Sequence, residues 1–270
     1  MSGKGITVAP GDVHKTLEQN MLLDGFPFVL DLEKSHGSWL YDSVTEREYL
    51  DFFTFFASQA LGYNHPALTS DEFLAKLGRV AVNKVSNSDI YTTEMAEFVA
   101  TFARIATPKN LPHLFFISGG ALAVENALKA AFDWKVKKNW EKGIKGEKGQ
   151  KAIHFREAFH GRTGYTMSLT NTIPFKVAHF PKFDWPRVIS PAANTPPTEE
   201  NLRKVESLEA RATDQIKAHL HERNDDIAAI IIEPIQGEGG DNHFRREFLQ
   251  TLRDLADEND VMLIFDEVQT

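Results

Sequence analysis

The sequence predicts an α/β protein: a mostly parallel sheet with helices on both faces, preceded by a smaller N-terminal α+β segment. Two observations carry this. Short apolar runs of strand character at residues 113–117, 152–155, 228–232 and 261–265 alternate with helical periodicity at 122–136, 199–220 and 244–258. A parallel connection needs a crossover long enough to hold a helix, and each gap between runs supplies one. The second observation is composition: 270 residues with 42% apolar and 25% charged side chains can fill a sizeable core, which excludes disorder and fibrous repeats.

Taken in order, residues 1–58 read as a mixed leader, with an amphipathic stretch at 13–23 and short strands at 26–32 and 38–41. Gly37 and Gly62 punctuate it as turns. From Thr93, the residues Met95, Phe98, Val99, Phe102 and Ala106 recur at spacings of three and four, one face of a helix that Pro108 ends. Residues 135–151 carry seven lysines with Gly143, Gly146 and Gly149, and read as a solvated loop between a helix and a strand. Residues 186–197 are a proline-rich connector, and no internal repeat is visible.

Lys plus Arg number 30 against 38 Asp plus Glu, a net charge of −8 that argues against general nucleic-acid binding. The apolar runs fall far short of the ~18 residues of a membrane span, and the start of the chain has no apolar leader, so a cytoplasmic protein is expected. The absence of cysteine removes disulfides, thiolate metal sites and thiol nucleophiles together. No metal site is expected.

In open α/β sheets ligands bind beyond the carboxyl ends of the strands, so the residues after each apolar run are the informative ones. After the first run come Ser118-Gly119-Gly120-Ala121 and then a helix, a turn whose backbone N–H groups could cup an anion, or that merely turns tightly. After the second come Phe159, His160, Gly161 and Arg162: a stacking ring, an imidazole and a guanidinium able to grip a carboxylate, or ordinary packing. The third is followed by Glu233 and Glu238 in a glycine-rich loop, and the fourth by Asp266, an acid in the low-dielectric crevice that needs a cationic partner. Together, an anion cup, a stacking ring, a carboxylate grip and a buried aspartate are what a pyridoxal phosphate (PLP) site requires.

The segments Ala60-Leu61-Gly62-Tyr63-Asn64-His65-Pro66, Ala158-Phe159-His160-Gly161-Arg162-Thr163, Ile232-Glu233-Pro234-Ile235-Gln236-Gly237-Glu238-Gly239-Gly240 and Phe265-Asp266-Glu267-Val268-Gln269-Thr270 resemble class III, ornithine-type PLP-dependent aminotransferases. The likeness covers nearly the whole chain in the family's order. Within the class, the run from Gly119 to Lys135 is most similar to the lysine 6-aminotransferase branch. Relatives usually carry an acid and a hydroxyl residue in the cup, where Leu122 and Ala121 stand here.

The resemblance implies fold type I with residues 1–58 in a small domain and 59–270 in an incomplete large, PLP-binding domain. It implies that Gly120 and Ala121 bind the phosphate, Phe159 stacks on the ring with His160 beside it, Asp266 holds the ring nitrogen and Gln269 reaches the ring hydroxyl region. Arg162 would grip the α-carboxylate of L-lysine, leaving the distal amine at the cofactor. Glu238 would act as a gate, pairing with an arginine near the C-terminus until 2-oxoglutarate binds. The implied products are 2-aminoadipate 6-semialdehyde and glutamate. Ornithine, acetylornithine and 4-aminobutyrate are the alternative donors, and a non-catalytic, shortened dimerisation partner is the alternative of another class. A nucleotide-binding protein is disfavoured because Gly-x-Gly-x-x-Gly is missing. Relatives are homodimers.

The family's Schiff-base lysine lies about 30 residues beyond Asp266-Glu267-Val268-Gln269, and Lys129, Lys176 and Lys182 stand in the wrong motifs to replace it. A truncated chain is therefore expected. Alone it should not transaminate, and without the sheet neighbours that relatives have it should be poorly stable.

Overall fold

A computed structural model describes residues 5–83, 89–193 and 196–270. The chain divides into two compact units, Met1–Leu114 and Phe115–Thr270. Residues 1–4 of the leader and 194–195 of the proline-rich connector lie outside the described residues.

In the first unit, a 3-10 turn at Pro10–Asp12 leads into α1 (Val13–Glu18), shorter than the 13–23 stretch expected. Strands β1 (Trp39–Asp42) and β2 (Arg47–Leu50) form an antiparallel hairpin pairing Trp39 with Leu50 and Asp42 with Arg47. The strand expected at 26–32 reduces to a single bridge between Leu30 and Asp42. Asp42 organises the hairpin turn: its carboxylate accepts from Thr45 Oγ1 at 2.7 Å and from the Val29 and Val44 amides at 3.1 and 3.2 Å. Burial pushes its pKa up, but these donors outweigh that and hold it below the usual carboxylate range.

A short turn, α2 (Thr54–Ala57), follows, and then two amphipathic helices begin at hydroxyl caps. Ser70 accepts from the Phe73 amide to start α3 (Asp71–Ala81), and Thr92 accepts from the Met95 amide to start α4 (Thr93–Ile105). The helix α4 lies where the three-and-four spacing places it. Sequence reading had no element at α3.

The second unit holds α5 (Gly120–Glu141), β3 (Lys151–Phe155), the short α6 (Thr166–Leu169), β4 (Arg187–Val188), α7 (Glu199–Glu222) and β5 (Ile227–Ile232). A small hairpin of β6 (Ile235–Gln236) and β7 (Asn242–His243) precedes α8 (Arg246–Glu258) and β8 (Met262–Phe265). The four longer-range strands run parallel in the order β4-β3-β5-β8.

Every residue of β5 is buried, because strands flank both its edges and helices cover both its faces. Ile230 and Ile232 join Ile153, Phe155, Ile216, Phe248 and Leu252 on the α7–α8 face. Ala229 and Ile231 join Val124, Leu128 and Ala131 on the α5 face. Lys151 pairs with Ile227 but Ala152 with Ala229, so Ala228 is an inserted residue, and Ala228 and Ala229 both turn to the α5 face. The predicted layering of helix, parallel sheet and helix is thus present.

Two local expectations are corrected. Residues 113–117 form no strand, and Phe115 is 71% exposed. A strand exists only through ladder partners, and apolar composition does not supply them. The lysine-rich segment is not a solvated loop throughout, since α5 continues to Glu141 and Lys135 is buried. The Lys135 ammonium donates to the Asp260 carbonyl at 2.9 Å, just past the end of α8, and burial lowers its pKa. Lys138 and Lys142 both pair with the Asp260 carboxylate, and Lys151 pairs with Asp226. Among the described residues, no helix is long and apolar enough to cross a membrane.

Candidate active site

A cavity of about 320 Å³ lies beyond the carboxyl ends of β3, β5 and β8, where the start of α5 meets the loops that follow those strands. Gly120, Ala121, Phe159, His160, Glu238, Asp266 and Gln269 all line it, together with Gly161, Glu233, Ile235 and Val268. Seven of the eight residues singled out from sequence thus converge. The eighth, Arg162, is exposed and lies outside the lining.

The cup is made by backbone. Ala123 N–H donates to the Gly119 carbonyl as the first turn of α5 closes, so the N–H groups of Gly120, Ala121 and Leu122 have no intrahelical acceptor. They carry the positive end of a 22-residue helix. A Cβ on Gly120 would stand 2.8 Å from Val268 Cγ2. Gly161 has φ +109°, and a Cβ there would meet Ala121 Cβ at 2.4 Å, so the loop after β3 closes against the cup through glycine.

Glu233 ties the ring loop to the glutamate loop. Its Oε1 accepts from the Phe159 amide at 2.8 Å and its Oε2 from the Gly237 amide at 3.3 Å. Burial pushes its pKa up, with the Asp266 carboxylate adding to the rise against those hydrogen bonds. In the cavity wall His160 Nδ1 lies 2.7 Å from Asp266 Oδ2, and the two side chains are 0% and 4% exposed. A carboxylate accepts only, so this nitrogen carries the proton and donates. His160 Nε2 is buried and has no hydrogen-bond partner among the described residues. Asp266 is fixed further by the Val268 amide on Oδ1 at 3.2 Å and by its own amide donating to the Ile232 carbonyl at 2.9 Å.

At the cavity rim, Glu238 Oε1 accepts from Thr172 Oγ1 at 2.6 Å and from Lys176 Nζ at 3.0 Å. Gln269 folds over Gly237, leaving no room for a Cβ there. Sequence reading noted Glu233 without assigning it a role, and missed Glu125, whose Oε1 accepts from Thr163 Oγ1 at 2.5 Å and from the Tyr165 amide at 3.0 Å. Glu125 sits inside a helical pattern and Thr172 and Lys176 in an irregular loop, so nothing local marks them. Chemically, the arrangement offers an anion seat at the helix start, an aromatic face and a buried acid able to hold a cationic N–H.

The chain is 55% identical over 267 residues to the L-lysine-epsilon aminotransferase of Mycobacterium tuberculosis (strain ATCC 25618 / H37Rv), covering 98% of this chain and 59% of that protein. It is 52% identical over 260 residues to the L-lysine-epsilon aminotransferase of Streptomyces clavuligerus, covering 96% and 56%. The solved lysine aminotransferase of M. tuberculosis in its internal aldimine form superposes with a TM-score of 0.93 at 55% identity, over 97% of this chain and 60% of that one. The chain therefore spans a little over half the length of these relatives. Their likeness agrees with a sequence profile described as "Aminotransferase class-III", which matches residues 24–270, and the chain belongs to the class-III aminotransferases.

Proposed function

We propose that the protein transfers the terminal amine of L-lysine to 2-oxoglutarate with PLP as cofactor, giving 2-aminoadipate 6-semialdehyde and glutamate. The observation that carries the reading is the buried Asp266–His160 pair in the same cavity as the free N–H groups of α5. These residues fit the cofactor: the cavity volume falls within the ~300–1,000 Å³ range of small-molecule sites, and phosphate suits an uncapped helix start. When bound, PLP supplies an electron sink that stabilises a carbanion beside the reacting nitrogen.

The chain's own residues then have distinct tasks. Gly120 and Ala121 would hold the phosphate by backbone N–H groups, and Phe159, its backbone held by Glu233, would offer its face to the ring. Asp266 would hold the ring nitrogen in its protonated form, and His160 holds Asp266 in place through Nδ1. Gln269 reaches the ring hydroxyl region. Arg162, exposed beside the cavity, takes the α-carboxylate of the donor, and Glu238 adapts the rim to donor and acceptor in turn. We assign residues 1–58 to a small domain and 59–270 to the PLP-binding large domain, with a cytoplasmic homodimer as the working assembly.

The relatives with 52–55% identity carry the name L-lysine-epsilon aminotransferase, which supports lysine ahead of ornithine, acetylornithine and 4-aminobutyrate. A panel of these four donors with 2-oxoglutarate on the full-length protein tests the order. Lysine is expected to give the highest kcat/KM, by about tenfold or more if one well-placed contact separates the donors. A higher value for any other donor refutes the lysine assignment.

A further inference from the structure

A second cavity, of about 270 Å³, opens on the α5 face of the sheet and is lined by Lys129, Phe132, Gln150, Tyr165, Phe183 and Trp185. It shares no residue with the cavity beyond the strand ends. Its walls are rings fixed from behind. Trp185 is buried in the core of the α5 face. Phe132 meets Tyr165 edge-on with centroids 5.7 Å apart, and Trp185 at 5.5 Å. The Tyr165 amide is held by Glu125, and the Phe183 amide donates to Ser168 Oγ at 2.9 Å. Phe183 lies nearly parallel to Trp185, with centroids 5.2 Å apart and 12° between the planes. All these spacings fall where rings attract one another, so the bowl is assembled before any ligand arrives. Phe183 is nevertheless 52% exposed, which leaves ring surface for a further aromatic group.

Lys129 is the one cation of this lining. Asp133, one turn further along α5, is taken by Lys137 at 2.7 Å, and Lys129 has no hydrogen-bond or ion-pair partner among the described residues. A cationic ligand is repelled by this ammonium, and a neutral ring leaves it unused. A ligand with an aromatic body and an anionic end uses both the rings and the charge. We propose that the bowl is a binding site for a planar aromatic carboxylate, whose ring stacks on Phe183 and whose carboxylate accepts from Lys129 Nζ. The volume lies just under the ~300–1,000 Å³ of drug-sized ligand sites, which suits one or two fused rings. The inference does not rest on the aminotransferase reading, since no residue of the bowl serves that chemistry.

The test measures binding of indole-3-carboxylate and of its neutral counterpart, indole-3-carboxamide, to the full-length PLP-loaded protein by calorimetry. The wild type is expected to bind the carboxylate more tightly than the amide. Lys129→Met should weaken the carboxylate about fivefold, the weight of a solvent-exposed charge pair, and the amide by less than about twofold. Phe183→Ala, at an exposed position, should weaken both ligands about tenfold through the lost stacking. The amide is an internal control in Lys129→Met, because a general loss of structure lowers both affinities alike. Both substitutions lie outside the cofactor cavity, so an acid bound there instead keeps its wild-type affinity in both variants, and that result overturns the proposal. Carboxylate binding weaker than about 1 mM in the wild type, or equal weakening of both ligands by Lys129→Met, overturns it too.

Discussion

His154 and His160 stand six positions apart and are both buried, but their surroundings give them different fates. His160 has a carboxylate against Nδ1. His154, in β3, has the Leu169 carbonyl at 3.0 Å and a backbone hydrogen bond to Trp185 but no carboxylate, and burial, aided by Arg187 and His160 nearby, lowers its pKa from 6.5 to about 3. The unfolded chain takes up this proton near pH 6.5 while the native protein refuses it, so between those values the unfolded state binds more protons. Stability is therefore complete above about pH 6.5 and falls as pH drops, by on the order of 1 kcal/mol at pH 5.5 from this group alone. Urea unfolding at pH 8 and 5.5 should show the loss in wild type and a reduced loss in His154→Gln, whose amide can still donate to Leu169. An unchanged pH slope in the variant would show that His154 is not the group responsible. The two histidines also mark what sequence reading can reach: His160 stood out beside Phe159 and Arg162, whereas His154 was one residue of an apolar run.

At the scale of elements, α7 and α8 are joined by Arg245, which precedes α8 and grips Glu209 of α7 with Nε at 2.9 Å and Nη2 at 2.7 Å. Glu206 adds a contact at 3.3 Å. The Glu209 hydrogen bonds raise the arginine pKa further, so its charge is fixed at any working pH. Glu209 is 8% exposed and would be left as a nearly buried lone charge if Arg245 were removed. Arg245→Met is expected to cost about 2–3 kcal/mol, less than a fully buried pair because the guanidinium reaches solvent. Adding Glu209→Leu should recover part of that cost, and additive losses in the double-mutant cycle would mean that the pair is not coupled. The helices themselves were readable because their apolar spacing survives in sequence. The last turn of α5, residues 137–141, was not, since Asn139 is polar yet buried and its partner at Asp225 lies far along the chain, as does the Asp260 carbonyl that receives the buried Lys135. The two-residue β4 was hidden for the opposite reason, being too short to carry a period.

For the whole molecule, the parallel sheet and the convergence of the loops after its strands were legible, because alternating runs force crossovers and the ligand crevice follows from them. Which side chains steady the site, Glu233, Glu125, Thr172 and Lys176, was not, because each acts across a distance in sequence that no local pattern encodes. The uneven spread of the core was likewise unreadable. Among the described residues of the first unit Tyr63 is the one buried hydrophobic, whereas Phe52, Phe56 and Leu61 are 88%, 69% and 63% exposed. Phe56 lies in α2, where Thr54, Phe55, Phe56 and Ala57 all have φ between 45° and 66°. Side chains other than glycine pay about 1–2 kcal/mol each for that left-handed conformation. Asp51 holds the turn by accepting from the amides of Phe53 and Thr54 at 2.9 and 2.8 Å, and Phe53 packs on Phe55 and Phe56 with centroids 5.2 and 4.9 Å apart. Strained aromatic surface of this kind calls for a cover, and the proposed homodimer supplies one whose removal can be measured. Aspartate tolerates the left-handed region better than phenylalanine, so Phe56→Asp should relieve the backbone while removing the apolar contact. For a monomer that change is neutral or stabilising. For the proposed homodimer it should shift the full-length protein from twice the chain mass toward the monomer in sedimentation, at concentrations where the wild type stays paired, and a Phe56→Asp protein that remains a dimer on dilution would remove this turn from the interface.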